Sequence, residues 1–477
     1  MKKLNLIALI ILISSYTNVL LSQHYKIDVK IDNLADSTIY LGYYFGDKQY
    51  AKDTLLLDKK GHGVFQGSDT LKGGVYFVLV PGNMFFELII DNDQKFSLAT
   101  SYDGDARSLT KKLTSSGSAD MDLYLDYQRF MTHKGELAIK LRNKLKETDD
   151  EKEKQSIKDS LELLHNEVKA NWDKIEKEYP KSLLTSILLC NKEVDIPEPP
   201  KDKNGNILDS SFQYNYYKKH YFDYVNFADE RLIRTQFYHP KIDRYFEKMI
   251  IPMPDTVIKE CRAVLEKASV NQEVFKYTLQ LLFNKYNNSN IMGMDKVFVF
   301  FAESYYLNGK ASWADSVWLK KVENRVKDIK PNLIGGKAPE IKLLSPNDEF
   351  ISLHLIKAEY TILFFYEPSC GHCKKATPIL KELSDKYWEK GVEVLGIYTQ
   401  YEKDDWLEFI KKQGLNNWIN AWDPYNQSNF RHNYDVRATP SIYLLDKDKK
   451  IIGKRIDVET VGKILEDEYK KKEHLKK

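Results

Sequence analysis

Two cysteines three positions apart, Cys370 and Cys373, stand in the run Phe364-Phe365-Tyr366-Glu367-Pro368-Ser369-Cys370-Gly371-His372-Cys373-Lys374-Lys375-Ala376. Thiols at this spacing can close a disulfide and reopen it. That exchange needs a thiolate nucleophile, a second thiol nearby and an exposed sulfur. The elements around the pair look built to supply these. Tyr360 to Tyr366 is apolar, rich in β-branched and aromatic residues, and of the length of a buried strand. Pro368 ends it. Beyond Cys370, Ala376, Ile379, Leu380 and Leu383 recur at helical spacing. Cys370 therefore falls at a strand-to-helix junction, where free N–H groups and the positive helix end stabilise a thiolate. This makes Cys370 the expected nucleophile and Cys373, one turn on, the resolving thiol. Lys374 and Lys375 add positive charge.

A second landmark is Val436-Arg437-Ala438-Thr439-Pro440-Ser441, followed by the apolar run Ile442 to Leu445. Together these motifs resemble the thioredoxin superfamily, and within it the bacterial envelope thiol-disulfide oxidoreductases of the TlpA/ResA type, often grouped with AhpC/TSA proteins. The resemblance spans about Leu333 to Lys470. It implies a C-terminal α/β thioredoxin fold in which Pro440 is cis and faces the cysteine pair. It also implies that the Thr439 backbone pairs with a substrate strand. The partners implied are protein thiols and disulfides, together with an envelope electron donor or acceptor. No bound cofactor and no metal are implied.

Gly371 and His372 tune the equilibrium. The same dipeptide occurs in protein disulfide isomerase, at about −180 mV against about −270 mV for thioredoxin. A protonated His372 would favour the Cys370 thiolate and pull toward an oxidant or isomerase, whereas the TlpA/ResA resemblance favours a reductase. Two positions depart from thioredoxin. Phe364 stands where thioredoxin carries a buried Asp, and Ser369 replaces a Trp. Glu367 and His372 are then the candidates for moving the proton of Cys373.

Other readings fit less well. A structural zinc site needs four ligands, while Cys190 and Cys261 are unpaired in sequence and His432 is isolated. A peroxidatic cysteine calls for a Thr three residues before it, where Glu367 stands. A third reading makes the N-terminal two-thirds a binding or scaffolding module with a redox-sensing domain appended.

The chain has 477 residues, a length for roughly two to four domains. Its 72 basic and 69 acidic residues leave a net charge of +3, which gives nucleic acid no global attraction. Lys2 and Lys3 followed by the apolar Leu4 to Ile13 read as an export signal over residues 1–22, placing the rest in the periplasm or cell envelope. An uncleaved form of this segment is the alternative, and the one route to a membrane. With only four cysteines, a disulfide-stapled scaffold is excluded. Cys190 and Cys261 lie in apolar helical stretches and read as buried small hydrophobes.

Residues 23–110 read as an antiparallel β-sandwich, with strands near Tyr25–Ile31, Ser37–Tyr44, Gly63–Gln66, Val75–Val80 and Phe85–Ile90. It resembles the small sandwich that precedes many envelope thioredoxin-like domains. Residues 115–330 read as helical, beginning with a two-helix hairpin over Ser118 to Glu178. Tyr221-Phe222-Asp223 and Asp229-Glu230-Arg231-Leu232-Ile233-Arg234-Thr235 resemble an uncharacterised helical module found before thioredoxin domains. The tyrosine-rich cluster from Tyr214 to Phe227 reads as core rather than as a peptide groove. Residues 331–477 form the thioredoxin-like domain, with Lys470 to Lys477 expected as a solvated tail.

Overall fold

The computed structural model describes residues 24–475. The export-signal reading of residues 1–22 lies outside them. The chain forms two compact units, one ending at Met249 and the other beginning at Ile250. The expected helical region of 115–330 is thus shared between the two.

The first unit opens with strands β1 (Tyr25–Asp32), β2 (Thr38–Phe45), β3 (Lys48–Leu56), β4 (His62–Gly67), β5 (Gly74–Val80), β6 (Met84–Ile90) and β7 (Lys95–Ser101). Helix α1 (Ala106–Lys111) and β8 (Thr114–Ser116) follow. Two four-stranded sheets result, in the orders β4-β1-β7-β8 and β3-β2-β5-β6. Alternation drives them: Tyr25, Ile27, Val29 and Ile31 of β1 point inward and are buried. The sandwich is antiparallel except for β1 and β7, which run parallel from Lys26–Lys95 to Asp32–Ser101. Strand β3 is an edge strand with a largely exposed, polar sequence. That is why it shows no strand pattern in the sequence.

Helices α2 (Ala119–Glu147) and α3 (Glu151–Glu178) form the expected hairpin. Ser118 caps α2 by accepting from the Met121 N–H at 3.1 Å, and Asp150 caps α3 through the Lys152 N–H. The apolar stripe of α2 is buried only near its start, at Met121, Tyr124 and Leu125, and Ile139 is exposed. Glu87 of β6 ties the hairpin to the sandwich. It accepts from the Tyr124 hydroxyl at 3.1 Å and from the Tyr44 hydroxyl at 2.8 Å.

Helices α4 (Leu183–Asn191), α5 (Phe212–His220) and α6 (Tyr238–Arg244) complete the unit. The Asp229–Thr235 motif is structural. Arg231 bridges Asp229, at 2.8 Å from Nε, and Asp91 at the end of β6, while Arg234 donates to the Gly73 carbonyl at 3.0 Å. Within the tyrosine-rich cluster, Tyr221, Phe222 and Phe227 are core, whereas Tyr214 and Tyr224 are exposed.

The second unit begins with helices α7 (Pro254–Ala268), α8 (Gln272–Asn287), α9 (Asp295–Phe301) and α10 (Ser316–Ile329). The stretch after α10 is no free linker. Asn332 is fully buried, and Gly335 and Ala338 donate backbone hydrogen bonds to Ile451 and Lys449. Then follow β9 (Lys342–Leu344), β10 (Phe350–Ser352), β11 (Tyr360–Tyr366), α11 (Gly371–Tyr387), β12 (Val392–Tyr398), α12 (Lys403–Gln413), β13 (Ile419–Trp422), α13 (Phe430–Asn433), β14 (Ser441–Asp446), β15 (Ile451–Lys454) and α14 (Val458–Leu475).

These strands make a seven-stranded sheet in the order β10-β9-β13-β12-β11-β14-β15. Strand β11 is central and buried on both faces, as a parallel-paired interior strand must be. Ile362, Phe364 and Tyr366 face one core, shared with α11, α12 and α14. Leu363 and Phe365 face the other, with Phe430 and Tyr434. The expected tail is instead helical as far as Leu475. Lys472 pairs with Glu359 at 2.6 Å and lies over the Tyr360 ring, which holds the last turns down. Cys190 and Cys261 are both buried free thiols.

Candidate active site

The site forms where β11 ends. The chain turns tightly through Glu367 to Cys370, with the Cys370 N–H donating to the Glu367 carbonyl at 3.2 Å, and enters α11 with Cys370 as its cap. The Cys370 sulfur accepts from the Cys373 N–H at 3.4 Å. On the other side, β14 pairs antiparallel with β11, and Phe365 stands opposite Ser441. That register sets Thr439 and Pro440 level with the turn that carries Cys370. The Thr439–Pro440 peptide bond is cis, and the Thr439 carbonyl lies 3.3 Å from the Cys370 sulfur.

The two sulfurs differ. Cys370 is half-buried and Cys373 is fully buried. Burial pushes the Cys373 thiol up to about 12, and the opposing Glu367 backbone N–H does not overcome it. At Cys370 burial also works against the thiolate. Hydrogen bonds from Cys373, through its backbone first, and from the His372 backbone N–H outweigh it and hold the thiol below its ordinary range. His372 thus contributes its amide, and its side chain is exposed, as are Gly371, Lys374 and Lys375.

Glu367 is clamped from two directions. Its Oε1 accepts from the Thr439 hydroxyl at 2.6 Å and its Oε2 from the Gln400 amide at 2.7 Å. The Thr439 side chain also acts to lower both thiols. Its hydroxyl has one proton, and in this geometry that proton is given to Glu367. Carboxylate and hydroxyl thus stand as a hydrogen-bonded pair beside the cysteines. Phe364, at the position of the thioredoxin Asp, is fully buried and stacks on Tyr366 with ring centroids 5.1 Å apart. It offers no group to a proton. Gln400 was not singled out from the sequence, because a lone Gln after a strand carries no spacing signal.

The AhpC/TSA family matches residues 334–454 of this chain. A thiol-disulfide oxidoreductase ResA of Bacillus cereus is 30% identical over 127 residues, which cover 72% of that protein and 27% of this one. This chain belongs to the ResA-type thiol-disulfide oxidoreductases of the thioredoxin superfamily. A second ResA, from Bacillus thuringiensis subsp. konkukian, is 30% identical over 78% of its length. Ahead of this ResA-type region, residues 168–332 match a domain of unknown function, DUF5106. A solved thioredoxin-like protein from Bacteroides caccae aligns with 57% of this chain and 98% of its own, at 24% identity and a TM-score of 0.43. With the AhpC/TSA match confined to residues 334–454 and the DUF5106 match to 168–332, the ResA-type chain is a multidomain enzyme whose oxidoreductase fold is its C-terminal part.

Proposed function

We propose that this protein reduces protein disulfides in the bacterial cell envelope through Cys370 and Cys373. The Cys370 thiolate attacks one sulfur of a client disulfide. A Cys370–client disulfide forms, and the other client sulfur leaves as a thiolate that takes up a proton. Cys373 then gives its proton through the Thr439 hydroxyl to Glu367 and attacks the Cys370 sulfur. The Cys370–Cys373 disulfide closes and the second client thiolate leaves, to be protonated in turn from Glu367. Two electrons pass from the enzyme to the client, and a separate donor must restore the dithiol.

The observation that supports the reductase direction is the likeness to the ResA-type oxidoreductases. The hydrogen bonds that lower the Cys370 thiol stabilise the reduced form and pull the other way, toward an oxidant. Envelope location is supported by the basic and apolar start of the sequence, Lys2 to Ile13. Among the described residues, no helix is long and apolar enough to cross a membrane.

The test is the reduction potential of the pair in glutathione buffers, with Cys370→Ser as control. A value near or below about −270 mV supports a reductase. A value near about −180 mV or above makes the protein an oxidant or isomerase.

A further inference from the structure

The loop from Tyr434 to Pro440 carries the backbone that faces the cysteine pair; Tyr434 and Val436 anchor its start in the core, and the cover thins toward the pair. Arg437 and Ala438 are exposed, and Thr439 is half-buried. Beside these anchors, the polar side chains of the loop are fixed from α10, which lies in the stretch matched by the domain of unknown function. Asp435, its side chain 2% exposed, receives the Arg325 Nη1 at 2.8 Å on each carboxylate oxygen. Arg437 Nε and Arg455 Nη1 complete its shell at 2.6 and 3.0 Å. One turn along α10, Asp328 takes Arg437 Nη2 at 2.9 Å and His432 Nδ1 at 2.8 Å. The buried Asn332 amide then bridges the Asp328 and Asn433 carbonyls at 2.7 and 2.8 Å.

Directional charge-assisted bonds of this kind fix geometry better than they add stability, since the desolvation of a buried ion pair cancels much of its attraction. Their target here is the segment four residues before Thr439, not the centre of either core. We infer that Arg325 and Asp328 are positioning residues of the substrate groove. Through Asp435 and Arg437 they set the backbone of Ala438 and Thr439, against which an extended client strand lies. The C-terminal end of the uncharacterised domain is thereby part of the enzyme's client-binding apparatus. This rests on the Cys370 exchange reading above.

The test uses the full-length reduced protein and one leaving group on two carriers. One probe is an extended peptide whose central cysteine is a mixed disulfide with thionitrobenzoate. The other is free cysteine carrying the same group. The Cys370 thiolate attacks the cysteine sulfur, a Cys370–carrier disulfide forms, and the coloured thionitrobenzoate anion leaves. Wild type is expected to prefer the peptide. Arg325→Gln should lower the single-turnover rate constant for the peptide about tenfold, mostly through weaker saturation, as expected for one lost bond to a charged group. The free-cysteine probe should stay within about twofold, because it makes no groove contacts. Arg325→Lys should fall between, since a point charge keeps attraction but not the guanidinium geometry. An unchanged peptide preference in Arg325→Gln would overturn the inference. So would an equal loss on both probes, which would mark α10 as support for the fold or the thiolate. If wild type reacts with neither probe, the exchange reading itself fails and the inference falls with it.

Discussion

Cys190 and Cys370 both lie on helices and both feel burial, yet their thiols are driven in opposite directions. Cys190 sits near the end of α4, inside an apolar shell, and burial pushes it up to about 11. Cys261, inside α7, is raised by the same cause. Cys370 is the cap of α11, where first-turn amides have no carbonyl partner and turn toward the sulfur. Position along the helix, not residue type, separates an inert packing group from a nucleophile. The neighbour Cys373 sharpens the lesson. One turn deeper, it returns to the behaviour of a buried thiol.

The contrast can be broken first at its strong side. Cys370→Ser should reduce exchange to the rate of the uncatalysed reagents, while Cys373→Ser should still attack once and accumulate as a mixed disulfide visible by mass spectrometry. Turnover by Cys370→Ser would mean that another cysteine reacts. Next comes the proton path. Glu367→Gln should slow the resolving step about a hundredfold, the low end for a general acid–base group, and should leave the first attack nearly unchanged. Equal losses in both steps, read by stopped-flow, would assign Glu367 to the turn's shape instead.

The pH dependence discriminates more finely. Because the folded Cys370 thiol lies below its ordinary range, attack should rise with pH and level off earlier than for free cysteine. Lowering pH through that folded value silences it. Cys190 has the opposite sign. Its folded value is raised to about 11, so its contribution to stability is full below the unfolded thiol value and is lost as pH rises from about 9 to about 11. Cys190→Ala should flatten that part of the stability profile in denaturant titrations. At neutral pH the same change should cost only about 1 kcal/mol, for a small cavity, and leave exchange intact.

Much of the catalytic region was legible in the sequence because its signals are local. A seven-residue apolar run, a proline, two cysteines and a helical period place Cys370 without reference to anything distant. The Thr439–Pro440 landmark was legible through resemblance. What escaped is non-local. Gln400, Arg325 and Asp435 meet their partners across 33 and 110 positions of chain, and no spacing rule connects them. The role given to the His372 ring shifts to its backbone for a related reason: sequence shows side chains, while the helix end acts through amides. In the sandwich, strands that alternate were found, but β3, β7 and the three-residue β8 were not. Strand β3 is an exposed edge, and β7 mixes small and polar residues, Lys95 to Ser101.

The most direct test of the account is alkylation of the reduced folded protein as a function of pH, with each of the four cysteines followed by peptide mass spectrometry. The account predicts that Cys370 alone reacts readily, with a midpoint below that of free cysteine, and that Cys373, Cys190 and Cys261 react only on unfolding or in strong alkali. A Cys370 midpoint at or above that of free cysteine, or comparable labelling of Cys190 or Cys261, would contradict it.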